Sequence, residues 1–149
     1  MSVAGIGNVY AKANLDQDLG SGTPATWYVA LMITMPTDGD ASSAVEASWT
    51  GYARVPITNN GTNFPNATVV THIATKVCQA AIDWGTVAGL SGSIVVVGIV
   101  LVNAASAAIS STNMGRTGVF GTPSSPVTYV LNNGSDLSVS AGNLSFQEQ

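Results

Sequence analysis

Few side chains in this sequence could carry catalysis or bind a metal ion. His72 is the only histidine and Cys78 the only cysteine among 149 residues. A zinc site needs three or four such ligands at short spacing, and a Cys–His nucleophile pair needs a supporting motif. The sequence has neither pattern, and His72 alternates in phase with Val70 and Ala74, as a strand residue would. We therefore predict no catalytic residue, no metal site and no cofactor.

Carboxylates could offer a second kind of chemistry. Asp38 and Asp40 in PTDGDASS could hold a cation loosely, but Asp and Gly at this spacing are more typical of a turn. The sequence has no nucleophile elbow, phosphate-binding loop, dinucleotide fingerprint or zincin motif, so we predict that the protein is not an enzyme. A glycosidase-type pair stays open as an alternative, because several carboxylates could supply it. They are Asp16, Asp18, Asp38, Asp40, Glu46, Asp83 and Asp136.

Aromatic side chains could instead form a platform that binds sugars. The candidates are Trp27, Tyr28, Trp49, Tyr52 and Trp84. Each is flanked by apolar strand residues or by a turn, which favours packing in a core or an interface. A carbohydrate-binding or carbohydrate-active domain is therefore the less favoured interpretation.

The composition is unusually poor in charge. Charged residues make up 8% of the chain, against about 25% in a typical soluble domain. The net charge is −4 and the four cations are scattered, so nucleic acid and anionic membranes are not expected partners. The longest apolar run, residues 94–102, falls short of the roughly 18 residues that cross a bilayer. A surface built from Ser, Thr and Asn suits a protein that packs against neighbours.

The elements that must position these side chains are strands. Residues of high β-propensity recur between turn clusters, and Asn-Gly in NNGTN and NNGS suits the positive φ of tight turns. We predict an all-β chain whose residues 25–149 form one antiparallel β-sandwich or jelly-roll-like domain. The strands are expected near residues 26–35, 52–58, 68–75, 77–83, 94–102, 116–120, 127–131 and 136–146.

The N-terminal segment differs from the rest of the chain. Residues 1–24 lack strand alternation and end in the linker-like GSGTP, so we predict an extended arm that cannot form its own core. We expect its apolar side chains to lie on a neighbouring subunit. They are Val3, Ile6, Val9, Tyr10 and Leu15.

Two predicted strands have an apolar second face that a two-layer sandwich would leave exposed. Both faces of TWYVALMITM (residues 26–35) and of SIVVVGIVLV (residues 93–102) are apolar. In a two-layer sandwich only one face of each strand meets the core. We therefore expect a neighbouring subunit, or its arm, to cover the second faces.

Four stretches in a fixed order resemble a known family. They are WYVAL followed by PTDG (residues 27–39), WTGYARVPI (residues 49–57), AIDWGTV (residues 81–87) and NNGSDLSVSAGNLSF (residues 132–146). This order is similar to that of small β-rich virion proteins of tailed bacteriophages. That group includes capsid cement or decoration proteins and proteins labelled as tail-fibre proteins.

The resemblance marks a set of structural motif residues. They are Trp27, Tyr28, Gly51, Tyr52, Arg54, Asp83, Trp84 and Gly85. Pro56 lacks an N–H and favours a sheet edge or bulge. Asp83 and Gly85 bracket Trp84, as at a tight corner that turns the indole inward. Because charges are so few, Arg54 and Asp83 are also expected to form an ion pair.

The resemblance and the low charge together imply a non-enzymatic virion protein. Our first expectation is a capsid cement or decoration protein, a homotrimer that binds the major capsid protein or another virion protein. The alternative is a tail-fibre or tail-tip component involved in host binding. The N-terminus has no basic start followed by an apolar block, so we expect no signal peptide and synthesis in the bacterial host cytoplasm.

Overall fold

The computed structural model describes residues 8–37, 40–122 and 124–148, and their side chains from Tyr10 onward. Val3, Ile6 and Asp38 lie outside the described residues, as does the side chain of Val9. The elements are helix α1 (Asn8–Asp18), a 3₁₀ turn (Ala41–Ser43) and strands. The strands are β1 Thr26–Thr34, β2 Val45–Glu46, β3 Val55–Thr58, β4 Thr68–Val70, β5 Ile73–Cys78, β6 Ile82–Thr86, β7 Ile94–Val96, β8 Gly98–Val102, β9 Met114–Thr122, β10 Ser125–Val127, β11 Tyr129–Leu131, β12 Asp136–Val139 and β13 Leu144–Glu148.

The strands form one large sheet and two ribbons. The sheet has the order β2-β1-β8-β9-β13-β5-β4, with β3 beside β1 and β10 beside β9, and the ribbons pair β7 with β11 and β6 with β12. All of these pairs are antiparallel. The prediction of an all-β, sandwich-like single domain is therefore confirmed. Pro56 lies in β3, at the edge beside β1, as its missing N–H predicts.

The main core lies between the inner face of the sheet, the two ribbons and helix α1. The sheet contributes Leu31, Leu101 and Phe146, and the ribbons contribute Trp84 and Leu131. Phe64 and Phe146 meet edge to face with ring centroids 6.1 Å apart, a favourable aromatic geometry. We call the opposite side of the sheet the outer face.

The outer face of β1 and β8 is covered by the same chain. Ala30, Met32, Val100 and Val102 are fully buried there in a second apolar cluster. The side chains packed on it come from β1 and the residue after it, the segment at residues 41–44, the long connection between β8 and β9, and the first residue of β9. They are Tyr28, Met35, Ala44, Ile109 and Met114. The prediction that a neighbouring subunit covers this part of the sheet is wrong, because the chain's own loops fold over it.

Residues 8–18 form a helix rather than an extended arm. Ala11, Leu15 and Leu19, spaced by four residues, are 0% exposed and belong to the main core. Our placement of Leu15 on a neighbouring subunit is therefore wrong. Tyr10 is 71% exposed, so its contact with a neighbour stays a prediction, as does the domain boundary at residue 24.

Gly115 in β9 gives the Trp27 indole its space. A methyl group on Gly115 would come within 2.5 Å of Trp27 Cη2 and 2.6 Å of Cζ3. The indole cannot move freely, because its Nε1 donates to the Asp18 carbonyl at 3.2 Å. Gly115→Ala is therefore expected to lower the free energy of unfolding by about 1–3 kcal/mol through overpacking, measured by urea denaturation.

Gly92→Ala is the matched control for this change. A methyl group on Gly92 would meet no atom within 4 Å, and the residue has no positive φ that would strain an alanine. Its unfolding midpoint should match or slightly exceed that of the natural chain. Equal midpoints for the two variants would show that the sheet accommodates the methyl group beside Trp27.

Candidate interaction surface

The histidine and the cysteine do not form a reactive site. His72 is exposed in the turn between β4 and β5, whereas Cys78 is fully buried at the far end of β5. Burial raises the pKa of the Cys78 thiol, which disfavours the nucleophilic thiolate. Within residues 8–37, 40–122 and 124–148, no three His, Cys, Asp or Glu side chains lie close enough together to hold a metal ion.

Asp40 acts as a helix cap, as the turn interpretation predicts. Its Oδ1 accepts hydrogen bonds from the Ser42 N–H at 2.8 Å and from the Ser42 hydroxyl, at the start of the 3₁₀ turn. These hydrogen bonds hold the pKa of Asp40 below its usual value.

The described chain also contains no helix with the length and apolar content needed to cross a membrane.

The three tryptophans are packing residues. Trp27, Trp49 and Trp84 are 7%, 8% and 6% exposed, so their rings are not displayed as a sugar platform. Trp84 turns inward as predicted, and its Nε1 donates to the Val29 carbonyl at 3.3 Å. Trp49 meets Tyr52 edge to face with ring centroids 4.7 Å apart. These three rings therefore pack in the core.

The GYAR motif builds a buried polar cluster around Glu46. Arg54 donates from Nε to Glu46 Oε1 at 2.9 Å and from Nη2 to Oε2 at 2.7 Å. The Tyr52 hydroxyl donates to the same Oε1 at 2.8 Å and accepts the Leu31 N–H at 3.0 Å. Arg54 Nη1 also donates to the Ala104 carbonyl at 2.8 Å, which fastens the loop that covers the outer face.

The expected ion pair between Arg54 and Asp83 is wrong. Asp83 is exposed and accepts the Gly85 N–H at 2.8 Å, where Gly85 has a φ of +72°. Its carboxylate is therefore used in a local turn. Sequence reasoning listed Glu46 only among possible catalytic carboxylates and missed it as the partner of Arg54.

The cleft beside this cluster lacks, among its lining residues, the two carboxylates of a usual glycosidase. It has a volume of about 290 Å³, and Glu46 is the one carboxylate among the residues that line it. A glycosidase of the usual kind needs two. Burial raises the pKa of Tyr52, so the hydroxyl stays protonated and donates its hydrogen bond. Hydrogen bonds to Glu46 likewise raise the pKa of Arg54. The cluster is thus a structural support.

The other ion pairs lie on the inner side of the sheet and hold helix α1. Lys76 is 2% exposed, and its Nζ lies 2.7 Å from Asp16 Oδ1. Arg116 Nη2 lies 2.6 Å from Asp18 Oδ2, and Arg116 also pairs with Glu148. Lys12 pairs with Asp16 along the helix. Each Lys and Arg side chain of the sequence is therefore engaged in an ion pair.

The outer face of β9, β13, β5 and β4 is more exposed than that of β1 and β8, although Ser145 within it is 3% exposed. Strand register places its side chains on the same side as Val100, because Val100 pairs with Thr117, Val119 with Ser145, and Ser145 with Val77. We call this surface the open half of the outer face. Its principal residues are Val70, Ile73, Thr75, Val77, Val119 and Gln147, with Thr68 and Thr117 at its margins.

The open half carries no charged side chain among its described residues, whereas the inner side of the same strands carries Lys76, Arg116 and Glu148. Val70 is 72% exposed, and Ile73, Val77 and Val119 are half-buried. A second apolar pair, Val95 and Val130, lies exposed on the β7–β11 ribbon of the other layer. These two surfaces are the main candidates for contacts with other proteins.

Comparison with known protein families gives a match over nearly the whole chain. The family described as Podophage GP4 fiber I protein gp80 matches residues 6–147. No curated protein matches the chain, and no solved structure does. The match covers helix α1 as well as all of the strands described above except the last residue of β13.

Proposed function

Because the chain belongs to the podophage GP4 fiber I protein gp80 family, we propose that it is a structural subunit of a phage tail fibre. The family match over residues 6–147 is the observation that carries the proposal. Family membership makes the chain a bacteriophage virion structural protein. The fibre assignment follows the description of the family, and it agrees with the tail-fibre alternative expected from the sequence.

The fibre proposal is better supported than capsid decoration. The decoration hypothesis depended on an N-terminal arm that captures a neighbouring subunit. Helix α1 packs instead against the sheet of its own chain through Leu15 and Leu19. The family description names a fibre.

The proposed role is assembly without catalysis. The buried thiol, the capping role of Asp40 and the single carboxylate of the Glu46 cleft all support this role. We further propose that copies of the chain associate, as a homotrimer in the fibre, and that a second virion protein anchors them. The exposed Tyr10, together with Val3, Ile6 and Val9, is proposed to contact a neighbour.

Electron microscopy of antibody-labelled particles tests the location. Antibody raised against the purified chain should label projections at the tail of the particle, and preimmune serum should not. If the protein is part of the host-binding apparatus, monovalent antibody fragments should also lower the rate of adsorption to host cells. Label distributed over the facets of the head would contradict the fibre proposal and restore the decoration hypothesis.

A further inference from the structure

The two Asn-Gly pairs of the sequence lie in exposed turns but differ in backbone conformation. They are Asn60–Gly61, between β3 and β4, and Asn133–Gly134, between β11 and β12. Gly134 has a φ of +86°, the left-handed conformation that favours glycine in a tight turn. Gly61 does not have a positive φ, so the positive φ that the sequence predicts for NNGTN is absent at this residue. The backbone of the first turn therefore does not require a glycine.

An Asn-Gly pair can lose ammonia without an enzyme. The backbone nitrogen of the glycine gives up its proton and attacks the side-chain Cγ of the asparagine, and the new C–N bond closes a succinimide ring. The bond from Cγ to Nδ2 breaks, and the amide nitrogen takes up a proton and leaves as ammonia. Water then opens the ring at either carbonyl and gives aspartate or isoaspartate. Glycine favours the attack because it has no side chain and its backbone rotates freely.

The turn around Asn60 leaves the reacting groups accessible. Asn60 and Gly61 are exposed, and no group within residues 8–37, 40–122 and 124–148 accepts the Gly61 N–H or a proton from Asn60 Nδ2. Asn60 Oδ1 accepts the N–H groups of Thr62 at 3.1 Å and of Asn63 at 2.9 Å. Negative charge develops on this oxygen when Cγ is attacked. The two donors therefore stabilise the tetrahedral intermediate, as an oxyanion hole does.

The turn around Asn133 holds the corresponding groups in place. Asn133 Oδ1 accepts the Leu90 N–H, and its Nδ2 donates to the Leu90 carbonyl, both at 2.8 Å. The Gly134 N–H donates to the Val87 carbonyl at 2.8 Å. The attacking nitrogen and the leaving nitrogen must both give up a hydrogen bond before they can react. Loss of these bonds should slow the reaction by about tenfold or more.

We propose that Asn60 is a site of spontaneous deamidation in the folded protein, with water as the co-reactant, and that Asn133 is protected by its contacts with residues 87–90. The inference goes beyond the proposed fibre role and does not depend on it. Each deamidation adds one negative charge to a chain whose net charge is −4. The charge enters the loop whose Asn59 side chain donates to the Asp18 carbonyl, at the end of helix α1.

Peptide mapping of aged protein compares the two sites. The purified chain is incubated at neutral pH, denatured, and digested with trypsin at mildly acidic pH, where deamidation is slow. Trypsin places the two pairs in separate peptides, residues 55–76 and 117–149. Mass spectrometry with fragmentation should show deamidation at Asn60 at least about tenfold faster than at Asn133. The same peptides, prepared from fresh protein and incubated alone, provide the unfolded reference and should react at similar rates.

Gly61→Ala tests whether the Gly61 nitrogen is the attacking group. A methyl group at this position would meet no atom within 4 Å, so the urea midpoint should match that of the natural chain. Deamidation at Asn60 should nevertheless be at least about fivefold slower, because the methyl group hinders the attack. Gly92→Ala is the matched control, since Gly92 has equally open surroundings and no positive φ. It should leave the rate at Asn60 unchanged.

Three outcomes would overturn the proposal. Asn60 in the folded chain could stay intact over a period in which the free peptide is fully converted, or the two asparagines could react equally fast in the folded chain. The Gly61→Ala change could also leave the rate at Asn60 unaltered, as direct hydrolysis of the side-chain amide by water would. None of these results would move antibody label away from the tail, so the modification and the location of the protein are tested separately.

Discussion

Removal of residues 2–19 is expected to leave a chain that cannot fold cooperatively. The deletion removes Leu15 and Leu19, both 0% exposed in the main core, and each such loss costs about 2–5 kcal/mol. It also leaves the buried Lys76 without Asp16. The combined cost is comparable to the roughly 5–15 kcal/mol that stabilises a typical domain. Circular dichroism during heating should show no sharp transition.

Single substitutions in helix α1 provide the matched controls. Leu15→Ala should lower the free energy of unfolding by about 2–5 kcal/mol, because Leu15 lies in the core. Tyr10→Ala, at a position 71% exposed on the same helix, should change it by no more than about 0.5 kcal/mol. A truncated chain that melts sharply near the natural temperature would instead support the predicted domain boundary at residue 24.

The strands were predictable because their signals are local. β1 and β8 are runs of apolar and β-branched residues between turn clusters, and these properties are visible within ten residues. The spacing of Ala11, Leu15 and Leu19 was equally visible and could have predicted the helix. The signal is weak because Asn, Asp and Gln surround these positions, and because one of the three core residues is only an alanine.

The cover of the outer face was not predictable from local pattern. The connection between β8 and β9 is rich in Ala and Ser, and its apolar contribution to the second cluster is mainly Ile109. One contact that holds this loop is the hydrogen bond from Arg54 to the Ala104 carbonyl, across 50 residues of sequence. The Arg54–Glu46 pair likewise depends on how β1, β2 and β3 align. Composition predicts a shortage of charge but does not predict which charges meet.

The placement of the scarce charges connects the fold to the proposed assembly. Lys76, Arg116 and Arg54 tie a helix and a loop to the sheet. Because the cations are used in this way, the open half of the outer face can remain uncharged. A low content of charge would be a disadvantage for a freely diffusing protein. It is consistent with the association of copies proposed above.

Asp16→Asn is expected to lower the free energy of unfolding by about 2–4 kcal/mol at neutral pH, measured by urea denaturation. The change leaves the Lys76 ammonium, whose side chain is 1% exposed, without its anionic partner. The expected loss of unfolding free energy lies toward the lower end of the range for breaking a buried ion pair, because the Asp16 side chain is 25% exposed. The side-chain oxygen of the introduced asparagine can still accept the Ala67 N–H, which Asp16 Oδ1 accepts at 2.8 Å in the natural chain.

The pH dependence of the unfolding free energy provides a second test of the Asp16 interactions. Burial raises the pKa of Asp16, but hydrogen bonds from Lys12, Lys76 and the Ala67 N–H outweigh it and lower the pKa from 3.8 to about 2. A lowered pKa in the folded state contributes stability above the unfolded value, and this contribution is lost as the pH falls from about 4 to 2. The natural chain should lose about 2 kcal/mol more than the Asp16→Asn variant over that interval.

The double variant Asp16→Asn with Lys76→Met separates an unpaired charge from a general loss of packing. If the buried ammonium causes the loss, removing it as well should recover most of the stability, because a neutral side chain of similar length then fills the site. Lys76→Met alone should cost less than Asp16→Asn, since Asp16 is partly exposed and still pairs with Lys12. Additive losses in the double variant would show that Asp16 and Lys76 act independently.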